Sequence, residues 1–225
     1  MKNIQFFILL LFASLFFTSC LELTEEVSMN TDGSGSAVLT VNLSESKDNI
    51  KHYMSQEEYQ GVKIPKIDKI KEIVAEMEDA MRSVKGLSNV ESQTNFEDYV
   101  FSFTGDFANV EVLNTAVNTL VKEMSKKSPT GRTPLIKDNF SYTNGHFKRH
   151  FDYPIDTEIY NKLGFMEQFL LENARLVGIY RFPNTVKSKS NAKANLSPSK
   201  KSVMLKTNFA EIAKGETSLE NVISY

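Results

Sequence analysis

The apolar residues of this chain keep changing their spacing, from every second position to every third or fourth and back again. Residues 21–29 alternate through Leu23, Val27 and Met29, residues 31–36 read Thr-Asp-Gly-Ser-Gly-Ser, and residues 37–43 resume alternation through Val38, Leu39 and Val41. Two alternating runs around a glycine-rich turn predict a β-hairpin. Residues 44–65 are polar, with Ser44 placed to cap a short helix and Pro65 closing the segment. Ile67, Ile70, Ile73, Val74, Met77, Ala80, Met81 and Val84 then recur at helical spacing until Gly86, with Asp68, Glu72, Glu76 and Asp79 off the stripe. That pattern predicts a surface helix with one buried face.

The cycle repeats twice. Residues 89–94 and 98–103 predict a second hairpin, with Tyr99, Phe101 and Phe103 on one face. Val110, Leu113, Ala116, Val117, Leu120, Val121 and Met124 predict a second helix. A basic, breaker-rich loop spans 126–134. Asn144-Gly145 then separates two short alternating runs. It is the preferred type I′ pair because both residues tolerate positive φ, and it sets Tyr142 opposite Phe147. Pro154 and Asp156 lead into a third helical pattern through Ile159, Leu163, Met166, Phe169 and Leu170. Residues 176–182 predict a strand stopped by Pro183, 188–199 a loop, 203–206 a strand, 209–213 one helical turn before Gly215, and 221–225 a last strand. Strands joined by tight turns imply an α+β fold. Its antiparallel sheet is built from hairpins, with about three amphipathic helices packed on one face.

The first 19 residues have a different character. Lys2 supplies a positive start, residues 6–17 are almost wholly apolar, and the small residues Thr18 and Ser19 precede Cys20. Charged start, apolar stretch and small-residue cleavage site together read as a signal peptide. The stretch falls short of the roughly 20 residues that span a bilayer. Residues 20–225 are then the mature part, read as a single α+β domain.

Cys20 is the chain's one cysteine, so no internal disulfide can form. A chain of this length buries enough core to do without one. Residues 17–20 resemble a bacterial lipobox, departing from its usual pattern at Phe17. The resemblance implies that the Cys20 thiol takes a diacylglyceryl group and its amine an acyl chain such as palmitate. Each buried methylene contributes roughly 0.8 kcal/mol, so several chains together anchor a protein stably. In that pattern an Asp after the cysteine marks inner-membrane retention. Leu21 stands there instead, which points to the outer membrane. The first predicted strand follows Cys20 with almost no tether.

With 26 basic and 28 acidic side chains the net charge is −2, which implies no preference for nucleic acid. The basic residues are uneven, however. Arg181, Lys187, Lys189, Lys193, Lys200, Lys201 and Lys206 fall in a stretch without an acid. The bland reading is a solvated loop and strand. The functional one is a patch meeting anionic headgroups or another polyanion, each base near a surface contributing about 1 kcal/mol. The 126–132 loop could join it.

No catalytic, cofactor-binding or metal-binding set emerges. Asn30, Asp32, Ser34 and Gly35 echo a calcium loop, but Val41 occupies the position of its bidentate glutamate. A tight turn explains them. His146 and His150 on one strand would lie about 13 Å apart, too far for a shared zinc. Nucleophile-elbow, zincin and phosphate-loop motifs are absent. Glu25-Glu26, Glu57-Glu58 and Glu97-Asp98 read as solvated surface.

The layout resembles a group of bacterial envelope lipoproteins that includes the LppM-type domain. The matching features are the strand at 23–30, the turn Asp32-Gly33-Ser34-Gly35 with the strand at 38–43, and the strand end Tyr180-Arg181-Phe182-Pro183 followed by 203–206. The resemblance covers the two ends of the mature chain better than its middle. It implies an α+β envelope domain with lipid contact and no catalytic residues. The expectation is a lipid-anchored, non-catalytic binding or structural module of the cell envelope. Its partners are the membrane through Cys20 and an anionic lipid or envelope component. A lipid-binding domain with a Phe-lined cavity, and an enzyme whose site is assembled from distant residues, are the alternatives.

Overall fold

A computed structural model of the chain describes residues 21–59, 62–127, 137–151, 160–161, 168 and 172–225. The leader, Cys20, most of the 126–134 loop and the third predicted helix, with Ile159, Leu163, Met166, Phe169 and Leu170, lie outside them.

The first hairpin forms as expected, with β1 (Glu22–Met29) antiparallel to β2 (Gly35–Asn42). Asp32 accepts from the Ser34 amide at 3.0 Å and its hydroxyl at 2.7 Å, which closes the turn. Those bonds hold the Asp32 carboxyl below its ordinary pKa. A 3₁₀ turn at Ser44–Ser46 precedes α1 (Lys47–Met54), so the helix cap is Ser46 rather than Ser44. A two-residue ladder pairs β3 (Glu58–Tyr59) with β4 (Val62–Lys63). Next come α2 (Ile67–Arg82), β5 (Leu87–Asn95), β6 (Val100–Phe107) and α3 (Val110–Lys127). Tyr99 sits in the β5–β6 turn at φ 54°, outside the strand face assigned to it with Phe101 and Phe103.

Strands β7 (Phe140–Thr143) and β8 (His146–Arg149) pair as predicted, Tyr142 opposite Phe147. Asn144 and Gly145 have φ of 49° and 79°, the positive pair a type I′ turn requires. The remaining elements are β9 (Arg175–Arg181), β10 (Ser188–Lys189), β11 (Asn195–Leu196), β12 (Ser202–Asn208), α4 (Phe209–Ala213) and β13 (Asn221–Ser224). The 188–199 segment, expected as loop, thus contributes two short edge strands.

The fold is α+β, but its sheet organisation departs from the hairpin picture. The seven-stranded sheet runs β11-β12-β9-β1-β2-β6-β5 and is mixed, because β1 pairs in parallel with β9. A second, antiparallel sheet runs β10-β13-β8-β7. Parallel pairing needs a long crossover, and the crossover here carries the whole segment between β1 and β9.

One face of the large sheet is covered in two ways. Over β12, β9 and β1 lies the small sheet: Phe147, Tyr180, Val203, Leu205 and Ile223 all have 0% exposure there. Over β2, β6 and β5 lie α2 and α3, where Met77, Met81, Ala116 and Leu120 meet Val90 and Phe103. The helices therefore cover part of the face rather than all of it. Asn114 of α3 ties the two covers together. Its Oδ1 accepts from the amides of Asn139 and Phe140 at 2.9 Å each, and its Nδ2 donates to the Phe140 carbonyl at 2.8 Å.

Candidate functional site

Strand β1 follows closely on Cys20 in the chain. It is an interior strand, hydrogen-bonded to β2 and β9, and Leu21 already accepts from the Arg175 amide at 2.7 Å. Cys20 is the next residue upstream. The pairs Glu22–Asn42 and Glu22–Arg175, with Asn208–Arg175 and Val100–Asn42, mark one end of the sheet, the Leu21 end. Lys47–Asp98 at 3.4 Å and Arg175–Glu45 at 3.8 Å gather α1 and the β5–β6 turn at this end.

The basic residues do not form one surface. Arg181 and Ser202 pair at the opposite end of the sheet, beside Ser28. Six strand steps from Glu22 to Ser28 put that end about 20 Å from the Leu21 end. Lys200 and Lys201 sit there too, in the β11–β12 turn, both exposed. Lys206, by contrast, lies near the Leu21 end, 4.0 Å from Glu22. Arg181 is paired with Glu26 at 2.6 Å and Lys193 with Glu211 at 3.1 Å. The Lys193 bond also holds the Glu211 carboxyl below its ordinary pKa. Lys187 and Lys189 donate to backbone carbonyls of Tyr225 and Asn191.

The sequence reading missed a buried polar cluster. Glu25 lies on the inward face of β1 between Leu23 and Val27, not on solvated surface. Arg149 of β8 reaches it with two parallel hydrogen bonds, Nε to Oε1 at 2.8 Å and Nη2 to Oε2 at 2.9 Å. Tyr180 donates its hydroxyl to the same Oε1 at 2.5 Å. Nη1 of Arg149 donates to Asn139 and to the His150 carbonyl, and its guanidinium lies 4.9 Å from the Phe140 ring centre. The Arg149 and Glu25 side chains are 8% and 19% exposed. Burial, then the Glu25 charge, pushes the Tyr180 hydroxyl pKa well up, so it stays a donor. Gly178, the cross-strand partner of Glu25, leaves room for that ring: a Cβ there would stand 2.6 Å from the Tyr180 hydroxyl. With every group satisfied, this cluster is a clamp between the sheets.

Glu26, the next residue, points outward to Arg181. The histidines make local bonds: His146 Nδ1 with the Ser224 hydroxyl and His150 Nε2 with the Ser141 hydroxyl, each at 2.8 Å. Burial, then Lys148, lowers the His150 pKa. Among the described residues no group of His, Cys, Asp and Glu could hold a metal ion, and no helix is long and apolar enough to cross a membrane.

A shallow groove of about 270 Å³ runs between α2 and β5. Three of its polar side chains bond to one another. Glu78 pairs with Arg82 and accepts from both the amide and the hydroxyl of Ser92, while Arg82 also donates to the Val90 carbonyl. The space between the two sheets is packed with aromatic rings. Phe182 lies 4.4 Å from Tyr225 and 5.7 Å from Phe147 between ring centres.

The chain matches no protein-family model and no curated protein. Among solved structures it is similar to the folded domain of the Mycobacterium tuberculosis LppM protein, determined by NMR. The identity is 13% and the TM-score 0.38, over 93% of this chain and 92% of that one. A likeness of that depth leaves function to be read from this chain's own geometry.

Proposed function

We propose that the chain is a lipid-anchored module of the cell envelope, attached through Cys20 after loss of residues 1–19. It acts by binding or scaffolding rather than by catalysis. What supports this reading is the position of Cys20 against the fold. The only thiol follows a signal-type leader and directly precedes an interior strand, so acyl chains there would hold the folded body against the bilayer without a leash. Leu21 in place of Asp favours the outer membrane. The polar groups of the Glu25 clamp, and Glu78, Arg82 and Ser92 of the α2–β5 groove, serve one another, which suits a binding or structural role.

The end of the sheet carrying Arg181, Lys200 and Lys201 stands away from Cys20. An anionic partner for these residues is then an envelope component, not the headgroups of the anchoring bilayer.

Metabolic labelling with radioactive palmitate, followed by cell fractionation, tests the reading. The wild-type chain is expected to label and to fractionate with membranes. Cys20→Ser is expected to stay unlabelled and to shift to the soluble fraction. Equal labelling and equal membrane association of the two proteins would overturn it.

A further inference from the structure

Both long helices lose their cover toward the same end of the molecule. In α2 the apolar stripe runs from Met81, 5% exposed, through Met77 at 8%, to Ile67 at 39%. In α3 it runs from Leu113 and Ala116 at 3% through Leu120 at 5% to Met124 at 56%, with Val121 beside it at 37%. The two helices are antiparallel, since β6 ends at Phe107 and α3 turns straight back along the sheet. Lys71 lies 5.7 Å from the ring centre of Phe96 in the β5–β6 turn, which places the start of α2 at the Leu21 end. The uncovered tips therefore lie at the end of the sheet from which Cys20 emerges.

Scattered exposed apolar residues are ordinary, and an isolated one carries nothing. Here, however, three of the six large apolar residues exposed among those described, Ile67, Val121 and Met124, lie on the two helix tips at this one end. The tips are also basic. In residues 66–72 and 121–127 six lysines stand against three acids; Lys69, Lys71 and Lys126 pair with those acids, which leaves a surplus of three positive charges. Lysine stems cover apolar surface while their ammonium groups reach phosphates, which is the composition of a membrane-interface edge.

We infer that the tips of α2 and α3, through Ile67, Val121 and Met124, insert into the headgroup boundary of the phospholipid bilayer that anchors the chain. This rests on the anchoring through Cys20 proposed above. The lipid tether brings the tips to the surface, and their insertion sets the tilt of the body, holding Arg181 and Lys200 away from the membrane.

The protein has no tryptophan, so a single introduced indole reports its own surroundings. Ile67→Trp, Met124→Trp and, as a control elsewhere on the sheet, Met204→Trp would each be made in the full lipidated chain. They would be reconstituted into phosphatidylethanolamine–phosphatidylglycerol vesicles with brominated acyl chains. An interfacial side chain sits roughly 5–10 Å into the boundary, so emission at 67 and 124 is expected to shift to the blue and fall about two-fold, with Met204→Trp unchanged. Flotation of the same vesicles reports the anchor separately. Protein that floats while both tip indoles stay unquenched overturns the insertion alone. Protein that fails to float overturns the anchoring and the insertion together. A blue shift that follows protein concentration rather than brominated lipid assigns the tips to a second copy and also overturns the insertion.

Discussion

The two covers on the inward face of the large sheet are built on different principles. Over β12, β9 and β1 the small sheet closes on interlocked rings and on one charged clamp. Every atom of Phe147, Tyr180 and Ile223 is shut from solvent there. Over β2, β6 and β5 the helices lay down methionine, alanine and leucine, with the Glu78–Arg82 pair at the edge rather than in the centre and with burial that fades along their length. The first cover is specific in position, because a bidentate arginine–carboxylate pair and a hydroxyl donor fit in one arrangement. The second is adaptable, because unbranched thioether side chains fill a gap in many rotamers. Rigid packing thus lies beside β1 and its neighbours, and compliant packing under the helices whose tips are uncovered.

Arg149→Met tests the specific half most severely. It leaves the Glu25 carboxylate buried beside a lone hydroxyl, and breaking such a pair costs about 3–5 kcal/mol. Urea denaturation should show that loss. Glu25→Leu, Arg149→Met and Tyr180→Phe combined should regain most of it, since no charge or donor is then stranded. A triple variant as unstable as the single one would mean that the pair acts by more than mutual compensation.

Asn114→Ala attacks the link between the halves. It strands the amides of Asn139 and Phe140 and one carbonyl, at about 1–3 kcal/mol for each buried group left without a partner. Hydrogen exchange should show β7 opening more readily while β5 and β6 keep their protection. Uniform loss of protection across both halves would show one cooperative unit instead.

Met77→Leu probes the adaptable half. A volume-conserving swap in such a layer costs less than about 1.5 kcal/mol. A larger loss in the denaturation midpoint would mean that the helix cover is as exacting as the clamp.

The smallest effect is a pH slope. His150 has its pKa lowered in the fold, so the unfolded chain takes up the proton first as pH falls. Its contribution is fully present above the unfolded value of about 6.5 and is lost as pH drops below it toward the folded value. His150→Gln should flatten the stability profile between about pH 6.5 and pH 5. An unchanged slope would assign the pH dependence to other groups.

Much of this architecture is set within short windows of sequence. Asn144-Gly145 builds its hairpin because both residues accept positive φ, and the 31–36 turn closes on Asp32 and Ser34 two residues apart. The stripes of α2 and α3, and the single turn at Phe209–Ala213, follow from spacing and from the breakers beside them.

Other features were settled only when distant segments met. Glu25 shares a face with Leu23, Val27 and Met29, so a charge among apolar neighbours was a visible anomaly. Its partners stand 124 and 155 residues away, and nothing local distinguishes Arg149 from the other bases. The parallel pairing of β1 with β9, the second sheet, the scattering of the basic stretch over both ends of the molecule, and the shared end of the uncovered helix tips are of the same kind. Each depends on which faces bury one another after the long crossover closes. That choice is made by packing and by the compensation of buried charge, and neither is carried by the periodicity of any one segment.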